Sequence, residues 1–239
     1  MISVCLASYN GELYIKEQID SILPQLSDKD EIVISDDSSS DSTVKILMSY
    51  EDARIKIHKN HTTKSPVFNF ENALKHAKGD YIFLCDQDDI WLPNKVRTTI
   101  PFFDKYDLIV SDCKVVDERL DVLENSFFDS LKSGEGFWKN FTKNTYLGCC
   151  MAFKKEILDY ALPFPSKIAM HDIWIGLLAE LSGNPFFLKE QLILYRRHNN
   201  NVSFGGGKSK NSLLFRIKYR ILLLIDLMNR KLSYTLRKH

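Results

Sequence analysis

Over the first ninety residues the hydrophobic positions alternate between short, mostly apolar runs and runs with helical spacing. Residues 2–6 read as a buried strand. Residues 14–26 carry Ile15, Ile19, Ile22 and Leu23 on one helical face. The same reading predicts strands over 31–35, 54–58 and 80–85, and helices over 43–50 and 68–77. Gly79 is expected to close the third helix as its C-terminal cap. A β-α-β-α-β-α-β order predicts an α/β fold, with an open, mainly parallel, Rossmann-like sheet flanked by helices. Ligands of such sheets bind at the carboxyl ends of the strands.

Polar clusters fall at those ends. The first strand runs into Ala7-Ser8-Tyr9-Asn10-Gly11-Glu12, the second into Asp36-Asp37, and the fourth into Asp86-Gln87-Asp88-Asp89. If the three strands are neighbours, the clusters converge on one crevice. The second half is less regular. Residues 108–116 predict a strand, and 117–143 predict loops and short helices. Residues 146–153 form a short apolar segment, 172–181 a helix and 186–195 an extended run. Gly205-Gly206-Gly207 before Lys208 reads as a hinge.

Three carboxylates crowded at one strand end repel one another, and a cation offsets that repulsion. Oxygen-only ligands suit a hard divalent ion, Mn²⁺ or Mg²⁺. Such an ion can bridge protein to diphosphate and neutralise charge on a departing nucleoside diphosphate. The plainer reading is a solvated acidic turn, with Asp89 capping the next helix. Asp37 is the candidate for a contact to a nucleotide base, and Asp41 or Ser42 is expected to cap the helix that follows.

Bulk properties narrow the class. A chain of 239 residues, 44% hydrophobic and 26% charged, is long enough for one α/β domain with a sizeable core. A formal net charge of +1 argues against a nucleic-acid partner. The five cysteines are odd in number and lack a C-x-x-C pair. Most sit in apolar runs, so a reducing, cytoplasmic setting without disulfides is expected. Residues 1–6 lack the basic start of a leader, and no apolar run approaches the roughly 18 residues of a spanning helix.

Three further strings bear on function: Gly148-Cys149-Cys150-Met151-Ala152-Phe153, His171-Asp172-Ile173-Trp174, and Leu194-Tyr195-Arg196-Arg197-His198-Asn199-Asn200-Asn201-Val202-Ser203. Together with Ala7-Ser8-Tyr9-Asn10, residues 34–43 and residues 79–91, they resemble family-2 inverting glycosyltransferases in order and spacing. The Asp-Gln-Asp-Asp-Ile-Trp string and the Tyr-Arg-x-His end are most similar to the bacterial rhamnosyltransferase-like branch, which builds cell-surface polysaccharides. The resemblance covers residues 1–205 and implies a GT-A fold. It implies a nucleoside-diphosphate sugar donor, a dTDP- or UDP-sugar, and a growing glycan or lipid-linked glycan as acceptor. Ala7, Ser8, Tyr9, Asp37, Asp86 and Gln87 would hold the nucleotide sugar, with Asp86 near the ribose. Asp88 would ligate the divalent metal. His198 falls where related enzymes place a phosphate or metal contact. Asn69 would reach the nucleotide from the helix before the fourth strand, where many members have Ala-Arg-Asn in place of Asn69-Phe70-Glu71. Asp172 matches the catalytic base that deprotonates the acceptor hydroxyl.

At the start of a helix a carboxylate tends to stay ionised, which would weaken Asp172 as a base unless acceptor binding desolvates it. His171 is the alternative base, and both His171 and Trp174 are expected on the acceptor side. A nucleotidyltransferase would also use a nucleotide and a metal, but such enzymes carry a basic, Gly-rich loop after the first strand, and residues 7–12 contain no Lys or Arg. A non-catalytic nucleotide-binding module leaves Asp86-Gln87-Asp88-Asp89 and His171-Asp172 unexplained.

Residues 206–239 form a separate tail. Residues 208–239 hold nine Lys or Arg against the one acid Asp226, with Ile217, Ile221, Leu224, Ile225 and Met228 at helical spacing. This pattern predicts a basic amphipathic helix. It fits an anionic membrane surface at the inner face of the plasma membrane or, alternatively, packing on the catalytic domain or on a second subunit as a homodimer.

Overall fold

The computed structural model describes residues 1–61, 64–198 and 213–238. In chain order the first half comprises β1 (Ile2–Ser8), α1 (Ile15–Ile22), β2 (Glu31–Asp36), α2 (Thr43–Met48), β3 (Ile55–Lys59), α3 (Pro66–His76) and β4 (Tyr81–Asp86). The second half comprises β5 (Ile90–Trp91), α4 (Lys95–Thr99), β6 (Leu108–Val116), β7 (Val122–Glu124), α5 (Phe127–Leu131), α6 (Phe137–Thr142), β8 (Met151–Lys154), α7 (Leu158–Ala161), α8 (His171–Ser182), β9 (Pro185–Arg196) and α9 (Leu213–Lys238). One mixed sheet runs β3-β2-β1-β4-β8-β6-β9-β5, with β7 on the flank of β6.

β1 pairs in parallel with both β2 and β4, and its Ala7 lies opposite Ser35 on one side and Asp86 on the other. The condition on the three polar clusters is therefore met: their strands are neighbours, and all three end at one edge of the sheet. β8 then pairs antiparallel with β4 and β6, while β9 runs parallel to β6.

β1 and β2 are buried on both faces, and α3 packs against both strands. Ile15, Ile19 and Ile22 of α1 are fully buried, as the spacing predicts. α8 is apolar all round from Ile173 to Ala179, and it is buried from His171 to Ala179.

Gly79 does not cap α3. That helix ends at His76, and Ala77 is already extended at φ −66° and ψ 132°. Gly79 is required by crowding instead: a Cβ there would lie 2.6 Å from the Ser3 amide nitrogen and 2.7 Å from the Ile2 carbonyl carbon. The turn is held by Gly79 N–H donating to Ser3 Oγ at 2.7 Å, while Ser3 Oγ donates to the buried Glu31 at 2.6 Å. Gly79→Ala should lower unfolding stability by about 1–3 kcal/mol, the usual cost of overpacking. Urea denaturation checks this, and an unchanged midpoint would contradict it.

Asp41 takes the capping role at α2, its Oδ1 accepting the Thr43 N–H at 3.0 Å. The Gly205–Gly207 hinge, the Asn199–Ser203 end of the last string and the 205/206 boundary lie outside the described residues. α9 packs on α7 and α8.

Candidate active site

At the β1 end, Tyr9 and Gln87 bond reciprocally. The Tyr9 N–H donates to Gln87 Oε1 at 2.8 Å, and Gln87 Nε2 donates to the Tyr9 carbonyl at 3.0 Å. Gln87 thus fixes the loop rather than offering its amide to a ligand. Gly11 leaves room for it, since a Cβ there would run into the Gln87 carboxamide. The Tyr9 ring stands 49% exposed, with the Lys64 ammonium 5.5 Å from its centroid. Ala7 is half-buried beside it.

Ser8 and Asn69 correct the expectation. Ser8 is 1% exposed, and its hydroxyl donates to Asp36 Oδ2 at 3.0 Å. Asn69 is 2% exposed, and its Nδ2 donates to the Ser8 carbonyl at 3.0 Å. Both seal the end of β1 from behind. Asp36 also serves structure, accepting the Ser39 N–H at 2.8 Å. Asp37 is oriented differently. It accepts from Asn60 Nδ2 at 3.0 Å, and burial raises its carboxyl above the usual range. A carboxyl so placed gains from a further N–H donor such as a base edge.

The acidic turn after β4 does not lead into a helix. It bends into β5, which pairs antiparallel with β9 at Ile90↔Leu194 and Trp91↔Ile193. Asp89 therefore caps no helix: its Oδ1 accepts the Arg196 N–H at 3.0 Å and pins the two chain segments. This pairing carries Asp88 to His198, with Asp88 Oδ2 and His198 Nε2 2.7 Å apart. The His198 ring stacks on Tyr14 at 5.0 Å, and the Arg196 guanidinium lies 4.8 Å from the same ring centroid. Arg196 Nε donates to the Asp88 carbonyl at 2.9 Å, and its far nitrogen pairs with Glu17. Tyr14, Glu17 and Arg196 were not singled out from sequence. Arg196 had a signal, since it stands two residues before His198 in the Tyr-Arg-x-His string.

Asp88 and His198 would fit a divalent cation, because a carboxylate oxygen and an imidazole nitrogen meet at 2.7 Å and a cation could replace the proton they share, with Arg196 holding the Asp88 backbone and Tyr14 the His198 ring. A second group also comes together: one donor atom each from Asp86, Asp89 and Cys149, all within 4.8 Å of one another. The Cys149 thiol is pushed up, first by burial and also by nearby charges such as Asp89, so it stays protonated and suits a hard cation poorly. Asp86 is pushed up to about 8, by burial first and then by the Asp88 and Asp172 charges. The Asp172 charge at the start of α8 thus reaches the β4 turn.

Asp172 sits in the first turn of α8 and is buried. Its Oδ1 accepts from Ile173 N–H and, at 3.4 Å, from Asn144 Nδ2. The expectation that the helix terminus keeps it a weak base is overturned: burial dominates and raises the carboxyl to about 6, against the hydrogen bonds that lower it. His171 points the other way. It is stacked on Phe70 at 4.0 Å and lies against Gly148, where a Cβ would fall 2.6 Å from Nε2. Neither ring nitrogen has a hydrogen-bond partner. Burial lowers its pKa to about 3, so it is a neutral core ring and not a base or acceptor contact. Trp174 is likewise a correction: it is fully buried, and its Nε1 donates to the Ala161 carbonyl at 2.9 Å.

The sequence model described as glycosyl transferase family 2 matches residues 3–161. The chain belongs to this family. Two relatives are an Escherichia coli UDP-Glc:alpha-D-GlcNAc-diphosphoundecaprenol beta-1,3-glucosyltransferase and a Shigella flexneri dTDP-rhamnosyl transferase. The first is 28% identical over 185 residues, covering 75% of this chain and 70% of the relative. The second is 27% identical over 245 residues, covering 92% and 78%. Among solved structures, the 1–349 fragment of TarS from Staphylococcus aureus in complex with UDP-GlcNAc superposes with a TM-score of 0.73 at 20% identity. That match covers 95% of this chain and 66% of the other, so this chain spans just under two thirds of that structure. A Pyrobaculum calidifontis mannosyltransferase in complex with GDP-Man and Mn²⁺ superposes at 0.63 with 17% identity, covering 98% and 74%. The sheet order and these superpositions give this family member the GT-A fold.

Proposed function

We propose that this family-2 transferase is a metal-dependent, inverting enzyme. It would move a sugar from a nucleoside diphosphate to a growing cell-surface or lipid-linked glycan at the inner face of the membrane. One observation carries the reading: the ends of β2 and β4 flank the end of β1, Asp88 Oδ2 meets His198 Nε2 at 2.7 Å beside them, and the Asp172 charge at the start of α8 reaches Asp86. Asp37, the exposed Tyr9 ring and Asp86 would meet the nucleoside, and Asp88 with His198 would hold the cation. When bound, that cation supplies positive charge for the diphosphate. Asp172 takes the proton of the acceptor hydroxyl. The hydroxyl oxygen then bonds to the anomeric carbon from the face opposite the leaving group, and the bond from that carbon to the phosphate oxygen breaks. A buried carboxyl with a pKa of about 6 is matched to that task near neutral pH.

The relatives that act with UDP-glucose on a diphosphoundecaprenol-linked sugar and with dTDP-rhamnose support UDP and dTDP as donor nucleotides and a lipid-linked acceptor. The mannosyltransferase complex with Mn²⁺ supports Mn²⁺ or Mg²⁺ as the cation. Thermal-shift measurements with UDP, dTDP and GDP, each with and without Mn²⁺, test the reading. A fitting diphosphate at 100 times its Kd should add about 2.7 kcal/mol of stability. The expected result is a shift with UDP or dTDP that depends on Mn²⁺. No shift with any nucleoside diphosphate would overturn the proposal.

A further inference from the structure

We infer that α9 docks this protein on an anionic lipid bilayer, lying flat at its surface with one apolar stripe turned into the lipid. The helix has two opposite apolar faces. Leu223 and Leu227 are buried against the domain, Tyr160 and Tyr234 meet edge to face, and Arg230 donates to the carbonyls of Tyr160, Leu162 and Pro163. On the other side Ile217, Ile221, Ile225, Met228, Leu232 and Leu236 are 48–70% exposed. Their spacing of four, four, three, four and four residues confines them to an arc of roughly 100° on a helix of 3.6 residues per turn. No packing need of the domain accounts for this second face.

Charge decides what covers it. The segment from Lys208 to His239 holds nine Lys or Arg and one acid. Lys218 and Lys231 are exposed on either side of the stripe. The acid, Asp226, is turned away into a cleft that it shares with Lys167 and Arg230. Two copies facing each other through this stripe would set two strongly basic segments together. An anionic headgroup layer instead neutralises them while its acyl boundary takes the apolar side chains. No helix among the described residues is long and apolar enough to cross a membrane, so the fitting arrangement is a helix in the interface.

The position of α9 gives the contact a purpose, which rests on the proposed transfer to a lipid-linked glycan. The Tyr219 hydroxyl accepts from Ala169 N–H at 3.4 Å, and the Asp172 charge helps to raise its pKa. The helix that would lie on the bilayer therefore also borders the carboxyl that would receive the acceptor's proton. A sugar carried on a membrane lipid would meet Asp172 without leaving the surface.

Vesicle flotation of the full chain tests the inference without reading transfer. Vesicles of phosphatidylglycerol and phosphatidylcholine are compared with phosphatidylcholine alone, at low and high salt. The expected result is co-flotation with the anionic vesicles only, weakened by salt. I221S/I225S/M228S should reduce it by more than tenfold, and K218Q/K231Q by roughly fivefold per charge removed. The far-UV CD melt of each variant should match the parent's, since these side chains face away from the domain. Absent co-flotation, or equal flotation of the triple variant, overturns the inference. A dimer in sedimentation velocity that the triple variant dissolves, without vesicle binding, would assign the stripe to a second copy and also overturn it. Lost vesicle binding with intact donor binding leaves the transferase reading standing, whereas intact vesicle binding with no donor binding removes that reading alone.

Discussion

Asp172→Asn transfers no measurable sugar, binds donor as the parent does, and is more stable than the parent at pH 8. The first part follows from the base role. A general base contributes about 10²–10⁴ in rate, and Asn keeps the shape and the hydrogen bonds from Ile173 and Asn144 while losing the proton acceptor. In the parent, the transfer rate should rise with pH through about 6, where the carboxyl ionises. Among the groups around it His171 stays neutral and Tyr219 and Tyr146 are shifted upward, while Asp86, pushed up to about 8, adds a second and higher inflection.

The stability gain follows from the same burial. Folded Asp172 holds its proton more tightly than the unfolded chain does. The stability it contributes is therefore complete below about pH 4 and lost as pH rises through about 6. A shift of about two units corresponds to roughly 3 kcal/mol at pH 8, which Asn recovers and which vanishes near pH 4. Denaturation at both pH values without divalent metal measures it. A variant that keeps most of its transfer rate, or that is destabilised at pH 8, would exclude Asp172 as the base.

Asp88→Ala is expected to abolish the Mn²⁺-dependent part of donor binding and to lower transfer by at least about 10²-fold, in line with several kcal/mol of charge stabilisation. EDTA should do the same to the parent, and added Mn²⁺ should rescue the parent but not the variant. His198→Ala should raise the Mn²⁺ concentration needed, because one of the two converging donor atoms is gone. Calorimetric titration of UDP or dTDP with and without Mn²⁺ separates the two variants. Donor binding by Asp88→Ala that still responds fully to Mn²⁺ would move the cation to the Asp86, Asp89 and Cys149 group.

The sheet was legible because buried parallel strands and amphipathic helices leave different periods. The crevice was legible because polar residues accumulate where such strands end. What escaped was direction. Ser8 and Tyr9 are adjacent, yet one is sealed against Asp36 and the other exposed, as alternation along a strand end requires. His171 and Asp172 are adjacent in one helical turn, yet one meets Phe70 and the other Asn144. For Trp174 the signal was present and misread: apolar residues surround it along α8, which marks a buried helix and not a sugar platform. β5 left no period at all, being two residues long, and so its pairing with β9 was invisible.

The reciprocal bonds between Tyr9 and Gln87 reproduce with a side chain the two-way pairing that a peptide group makes in a β-ladder. They add one rung beyond the last residues of β1 and β4. The tyrosine loop and the acidic turn are thereby a single cassette. Anyone retuning donor choice by exchanging loops between relatives would have to move residues 7–12 and 86–89 as a matched set, since either half alone arrives without its hinge pin.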